Sequence, residues 1–299
     1  MRIGVDLGGT KIEIAALDAD GAFALRERAP TPTGDYRKTV EAVRDLVLSA
    51  ERRLARRCTV GVGIPGAISP ATGLVKNANS TWINGRPLDR DLAQALEREL
   101  RVANDANCFA LSEAIDGAGR GKRVVFGVIL GTGVGGAIVV DGNVLNGRNA
   151  IAGEWGHNPL PWPSADERPG FPCYCGKTGC IETWLSGPGL GAAFVRATGE
   201  KVEAAEIVRM AQDGNRAAEN ILLDYEARLA KALAHLVNIL DPDVIVLGGG
   251  LSNLDSLYTN VPPLFAAHAF SDTVTTPLLK NRSGDSSGVR GAAWLWPPP

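Results

Sequence analysis

The sequence lacks the usual marks of several protein classes. It has no excess of positive charge: 31 Lys and Arg stand against 33 Asp and Glu, a formal net charge of −2. That argues against nucleic acid or an anionic membrane surface as the main partner. No apolar run is long enough to span a bilayer. Arg2 and Asp6 interrupt the start, where a secretory signal needs an unbroken apolar stretch. The expected compartment is the cytoplasm. There are only five cysteines, an odd count, which disfavours a disulfide framework in such a chain.

Two common nucleotide loops are absent as well. The Gly176-Lys177-Thr178 run has Phe171 where a Walker A loop needs its first glycine. No G-x-G-x-x-G turn leads from a strand into a helix. The C-x-x-C pair of thioredoxin-type redox sites is missing too.

What remains is an α/β chain. Its 299 residues, 45% apolar and 21% charged, suit one large or two medium domains. Strand-like and helix-like runs alternate. "TVGVGIPG" reads as a strand ending at Pro65-Gly66. "RPLDRDLAQALEREL" (86–100) reads as a helix, followed by the strand "RVAND" and the helix "ANCFALSEAIDGA". The longest helical pattern closes at Pro242, and "DVIVLGGG" then reads as a buried strand. "GVRGAAWLW" is a short closing helix before three terminal prolines. The 36 glycines suggest tight turns, and two of these turns match. Gly4–Gly21 is echoed by Gly127–Gly142: each has Gly-Val-x-Leu-Gly, a turn with glycine and threonine, a second apolar strand and a closing Asp-Gly. The echo suggests a duplicated domain.

Gly8-Gly9-Thr10-Lys11 reads in two ways. It is a plain hairpin turn, or it is a phosphate cradle. In a cradle, glycines let backbone N–H groups approach an anion, Thr10 adds a hydroxyl and Lys11 adds charge. Asp6, just ahead, is placed to hold Mg²⁺ directly or through water. Asn104-Asp105 also has two readings. The pair is a helix N-cap, or Asp105 is a general base that takes the proton from an attacking hydroxyl during phosphoryl transfer. The two are compatible.

His157, Cys173, Cys175 and Cys180 have the spacing H-x15-C-x-C-x4-C. One imidazole and three thiolates make a closed tetrahedral set suited to structural Zn²⁺, with no position open for chemistry. Glu154 and Glu182 flank these ligands, so pinning the loop also places two carboxylates.

Nine segments together resemble the ROK family (repressors, open reading frames, kinases), and within it the bacterial fructokinases or mannofructokinases. They are "DLGGTK", "VGIPGAISP", "KNANSTWINGRP", "NDANC", "GTGVGG", "GEWGHNPLPW", "PCYCGKTGCIE", "NILDPDVIVLGGG" and "GDSSGVRGAAWLW". The resemblance implies the duplicated α/β fold shared by actin, heat-shock chaperones and hexokinases, with two lobes and a cleft. The expected division is 1–113 with 287–299 against 114–286. It implies ATP-dependent phosphorylation of a hexose at its C6 hydroxyl, fructose first. Glucokinase, mannokinase and N-acetylhexosamine kinase are the alternatives within the family. The phosphate contacts fall on Gly8, Gly9, Thr10, Lys11, Gly131, Thr132 and Gly133, and the adenosine side on Gly248, Gly249 and Gly250. Sugar contacts fall on Gly66, Asn79, Asn104, Asp105, Glu154, His157 and Glu182, with Asp105 catalytic. In this scheme His157 gives one ring nitrogen to zinc and the other to a sugar hydroxyl. A homodimer is the expected assembly. The family's repressors carry a helix-turn-helix ahead of the kinase-like part; this chain opens on the first strand, which favours the enzyme.

Overall fold

The computed structural model describes residues 1–297. Pro298 and Pro299, assigned above to the closing segment of the first lobe, lie outside the described residues.

The chain opens with β1 (Arg2–Leu7), β2 (Lys11–Leu17) and β3 (Phe23–Pro30), a meander of antiparallel strands. α1 (Tyr36–Leu54) follows, capped by Asp35, whose side chain accepts the Lys38 N–H at 3.0 Å. Its Val40, Val43, Val47 and Ala50 recur at helical spacing and are buried. Next come β4 (Thr59–Ile64), the short ribbon of β5 (Ala67–Ile68) and β6 (Val75–Lys76), α2 (Leu88–Leu96), β7 (Arg101–Asn104) and α3 (Asp105–Ile115). α2 is shorter than its sequence suggests. Glu97 takes a left-handed φ of 50° and its N–H bonds back into the last turn, so Arg98–Leu100 run on as connection.

The second half repeats the plan. It has β8 (Val124–Leu130), β9 (Val134–Val140) and β10 (Asn143–Val144). Five helices then follow: α4 (Glu182–Leu185), α5 (Gly187–Thr198), α6 (Ala204–Gln212), α7 (Arg216–Leu240) and α8 (Ser256–Ala266). β11 (Val244–Gly248) lies between α7 and α8, and β12 (Leu278–Lys280) and α9 (Ser287–Trp294) close the chain. α7 stops where Asp241 turns left-handed, one residue ahead of Pro242.

Both five-stranded sheets have the same order. The first runs β3-β2-β1-β4-β7 and the second β10-β9-β8-β11-β12. In each, the last two strands extend the first strand in parallel. The repeated topology is the duplication that the glycine echo foreshadows. One face of β1 and β4 is apolar, with Ile3, Val5, Val60 and Val62 fully buried, and glycines stand on the other.

The chain divides into two compact units. One comprises Met1–Arg123, Ala137–Ala152 and the segment from Arg282 onward; the other comprises Val124–Gly136 and Gly153–Asn281. The segment from Ala137 to Ala152 thus groups with the first unit, whereas the division expected from the sequence put it in the second. In the first unit α9 packs directly on β1 and β4, backbone against backbone. A Cβ on Gly4 would strike the Val289 carbonyl, and one on Gly61 the Ala292 carbonyl. Glycine is the residue that permits this approach. Among the described residues no helix is long and apolar enough to cross a membrane.

Candidate active site

The first unit carries the first glycine turn. β1 and β2 pair Asp6 with Glu13 and Leu7 with Ile12, and the Gly8 N–H closes the hairpin on the Lys11 carbonyl at 3.0 Å. The turn's carbonyls are drawn to one side. Thr31 Oγ1 donates to the Gly8 carbonyl at 2.8 Å, Thr33 Oγ1 to that of Gly9 at 3.2 Å, and the Thr31 N–H to that of Thr10 at 3.0 Å. In a trans peptide the N–H points opposite the carbonyl. The N–H groups of Gly9 and Thr10 therefore face away from Thr31 and Thr33, toward the side where an anion can be received. Thr10 and Lys11 are exposed. Sequence reasoning missed the two threonines, because a residue twenty positions away gives no local sign that it supports a turn.

The Asn104-Asp105 step separates its two readings by residue. Asn104 is the N-cap of α3: its Oδ1 accepts from the Ala106 and Asn107 N–H groups at 2.9 and 3.4 Å. Its Nδ2 donates to the Gly66 carbonyl at 3.0 Å, tying two expected sugar contacts to each other. Gly66 has a φ of 75°. Asp105 is the first helical residue and is exposed, and its Oδ1 accepts the Ala106 N–H at 2.8 Å. With Asn104 carrying the cap, Asp105 stands at the positive end of the helix with its carboxylate at the surface.

Asp6, at the end of β1, titrates unusually. Burial first, and then the charges of Asp105 and Glu13, push its carboxyl up to about 6; Lys11 and Arg28 pull the other way. Glu13 is itself buried and bonded to Arg26 and Arg28, each at 2.6 Å. A carboxyl held up by burial and neighbouring negative charge is one that a divalent cation relieves, so Asp6 suits Mg²⁺. Asn79 is exposed, in a loop shaped by Asn84, which brackets Ala78 through both its N–H and its carbonyl. Its neighbour Ser80 reaches the first turn: a Cβ on Gly9 would stand 3.1 Å from Ser80 Oγ.

The second unit carries the matching turn, Gly131-Thr132-Gly133. The Gly131 N–H bonds to the Gly133 carbonyl at 3.0 Å, and the Gly131 carbonyl accepts the Gly187 N–H of α5 at 2.8 Å. Beneath it, Glu182 Oε2 accepts the Val134 N–H at 2.9 Å. β11 ends beside the strand that feeds this turn. Gly249 has a φ of 83°, and a Cβ there would strike the Leu130 carbonyl, so this position can pass only as glycine. The Gly249 carbonyl then accepts from the Ser252 N–H and hydroxyl at 3.1 and 2.7 Å.

The cysteine loop gathers as the spacing suggests. One ligand atom from each of His157, Cys173, Cys175 and Cys180 lies within 4.8 Å of all the others. Cys175 Sγ is 3.6 Å from Cys180 Sγ, and Cys173 Sγ is 3.6 Å from His157 Nδ1. Zn–S bonds of about 2.3 Å set tetrahedral S–S edges of about 3.8 Å, so the Cys175–Cys180 pair has the separation of a shared ion and not of a disulfide. Burial and its sister thiols push the Cys180 thiol up to about 12, so this closed set calls for a cation before its thiolates can form together. The loop is tied to its surroundings: Leu160 N–H to the Gly179 carbonyl at 2.9 Å, Ile181 N–H to that of Asn158 at 2.8 Å, and Thr183 Oγ1 to that of Cys180 at 2.7 Å. Glu182 follows at once, so the cysteine loop and the second glycine turn share one carboxylate. Glu154 is exposed, ahead of the single turn Trp155–His157, whose buried Trp155 donates to the Gly135 carbonyl at 2.9 Å.

One detail differs from expectation. His157 Nε2, expected to meet a sugar hydroxyl, lies 3.0 Å from the hydroxyl of Tyr174.

A family model described as the ROK family matches residues 2–298. The N-acetyl-D-glucosamine kinase of Pectobacterium atrosepticum is 40% identical over 299 residues, with 99% of this chain and 98% of that protein covered. A ROK hexokinase from Thermus thermophilus superposes with a TM-score of 0.88 at 31% identity, covering 98% of this chain and 96% of its own. A ROK family glucokinase from Streptomyces griseus, solved with glucose and AMPPNP, superposes with a TM-score of 0.77 at 27% identity, each chain 98% covered. The two structures carry the actin/hexokinase-like fold expected from the sequence. The curated relative is named for N-acetyl-D-glucosamine, so the fructose expectation gains no support from it.

Proposed function

The chain belongs to the ROK family, and we propose that it is an ATP-dependent N-acetylhexosamine kinase that phosphorylates the C6 hydroxyl of N-acetyl-D-glucosamine. The acceptor follows the 40%-identical relative. It replaces fructose as first choice and was already among the alternatives. The observation that carries the reaction is the division of labour at the head of α3, where Asn104 takes the cap and leaves the Asp105 carboxylate exposed.

In this reading Asp105 accepts the proton of the sugar O6–H as that oxygen attacks the γ-phosphorus of ATP. The bond from the γ-phosphorus to the bridging oxygen of ADP breaks, and ADP leaves with the electron pair. The out-facing amides of Gly9 and Thr10, with Lys11, and the Gly131–Gly133 turn receive phosphate oxygens. Gly248–Gly250 receive the adenosine side. Asp6 would hold Mg²⁺ directly or through water, and the bound ion would supply charge neutralisation at the phosphates. His157, Cys173, Cys175 and Cys180 would hold Zn²⁺, whose role would be shape, with Glu154 and Glu182 fixed for the sugar hydroxyls.

The test is ADP release with Mg-ATP and, separately, N-acetyl-D-glucosamine, glucose, mannose and fructose, with Asp105→Asn alongside. Turnover led by N-acetyl-D-glucosamine and reduced about 10²–10⁴-fold in the variant is expected. Turnover led by another sugar moves the substrate assignment. No turnover on any of the four, with the fold and zinc content intact, overturns the kinase reading.

A further inference from the structure

Tyr174 stands between two of the four metal-type ligands, yet the residue is 83% exposed. A structural metal loop needs no aromatic there, because the ligands hold the loop and an exposed ring adds almost no buried area. What Tyr174 has is one polar contact and one edge contact. Its hydroxyl is 3.0 Å from His157 Nε2, and its ring meets the imidazole edge-on, at 5.1 Å and 86°. His157 turns Nδ1 toward Cys173 Sγ. A neutral imidazole that gives Nδ1 to a metal carries its proton on Nε2, so Nε2–H donates and the phenol oxygen accepts. The phenol thus sits on the His157 ring atom that a sugar hydroxyl is expected to take.

We propose that Tyr174 is a displaceable stopper: its hydroxyl holds the His157 Nε2 hydrogen bond in the sugar-free protein and yields it to the acceptor hexose. This rests on the reading of His157, Glu154 and Glu182 as sugar-binding side chains. The phenol is held lightly enough to leave, since a single hydrogen bond and a ring edge tie down an otherwise solvated side chain. A hexose hydroxyl replaces the bond that is lost, so displacement leaves no polar atom unpaired. Tyr174 therefore weakens sugar binding without taking part in the transfer.

The test uses zinc-loaded wild type and Tyr174→Phe, which keeps the ring and removes the competing oxygen. Calorimetry measures N-acetyl-D-glucosamine binding without nucleotide, and nitrogen–proton spectra follow the imidazoles, of which the chain has only three. The dissociation constant is expected to fall about two- to tenfold in the variant, with kcat unchanged. The His157 Nε2 signal should differ between the sugar-free proteins and move in both when sugar is added. Tyr174→Ala, with one zinc per chain confirmed, should tighten binding at least as much. An unchanged or higher dissociation constant, with the Nε2 signal moving on sugar addition, overturns the stopper while leaving the site reading intact. Sugar binding that leaves the Nε2 signal in place in both proteins overturns the site reading, and the stopper with it.

Discussion

The two glycine turns are copies of one design that have been supported differently. Each joins the first two strands of a five-stranded sheet of the same order, and each closes on itself through the N–H of its first glycine. The turn at Gly8–Lys11 is held from behind by Thr31 and Thr33, neutral hydroxyls, and follows an Asp6 carboxyl that burial and the Asp105 charge push up. The turn at Gly131–Gly133 is held by the first residue of α5 and by the Glu182 carboxylate, which the cysteine loop positions. The difference shows what duplication allows. Once two copies exist, one can gather carboxylates and the other can be tied to a loop whose ligand set suits a metal. The topology survives because register and burial fix it; the supports diverge because single hydrogen bonds at a loop are individually cheap.

The comparison breaks most visibly if the metal is taken away. Chelating zinc under reducing conditions should lower Tm by more than about 5 °C and raise hydrogen exchange across residues 154–183, while β1 to β4 keep their protection. If metal analysis shows that zinc has left and both readouts stay flat, the second turn does not depend on the loop.

A smaller effect, of opposite sign, is expected in the first copy. The Asp6 carboxyl titrates at about 6, above its ordinary 3.8. The folded state therefore binds a proton that the unfolded state has already lost. The cost of the ionised form is fully present above pH 6 and fades as pH falls from about 6 toward 4. Asp6→Asn should accordingly raise Tm at pH 7.5 by about 2–5 °C without added Mg²⁺. The gain should shrink at pH 5, and ADP release should be lost. A variant that melts at or below the wild-type temperature at pH 7.5 counts against a strained, cation-ready carboxylate.

The smallest effect tests the threonine support itself. Thr31→Val removes one hydroxyl bond to the Gly8 carbonyl, about 1 kcal/mol. The KM for ATP should rise about fivefold and that for the sugar should stay put. A change in the sugar KM alone would show that the turn does not face the nucleotide.

Much of this was legible in the residues. The strands, the two echoing hairpins and α3 announce themselves through periodicity and glycine punctuation. The cysteine loop does so too, since three thiols within eight positions and a histidine upstream have few alternatives. The end of α2 was not legible, because nothing in Glu97-Arg98-Glu99 forbids another turn of helix; a left-handed residue stops it. The support by Thr31 and Thr33 was invisible for a different reason, since it depends on where β3 delivers the chain. The pairing of Tyr174 with His157 was missed because a tyrosine between two cysteines reads as loop filler until its hydroxyl is placed.

What the chain determined by itself is therefore local. Alternating apolar strands, a capping Asn104, glycines where backbones must meet, and a ligand set at metal spacing are written in near neighbours, and short-range sterics and hydrogen bonding decide them. Only the tertiary structure decided which charges push the Asp6 carboxyl up, which way the first turn presents its amides, and what covers His157 Nε2. Those depend on distances between residues far apart in sequence, and such distances exist only once the sheets have formed and the backbone has closed around them.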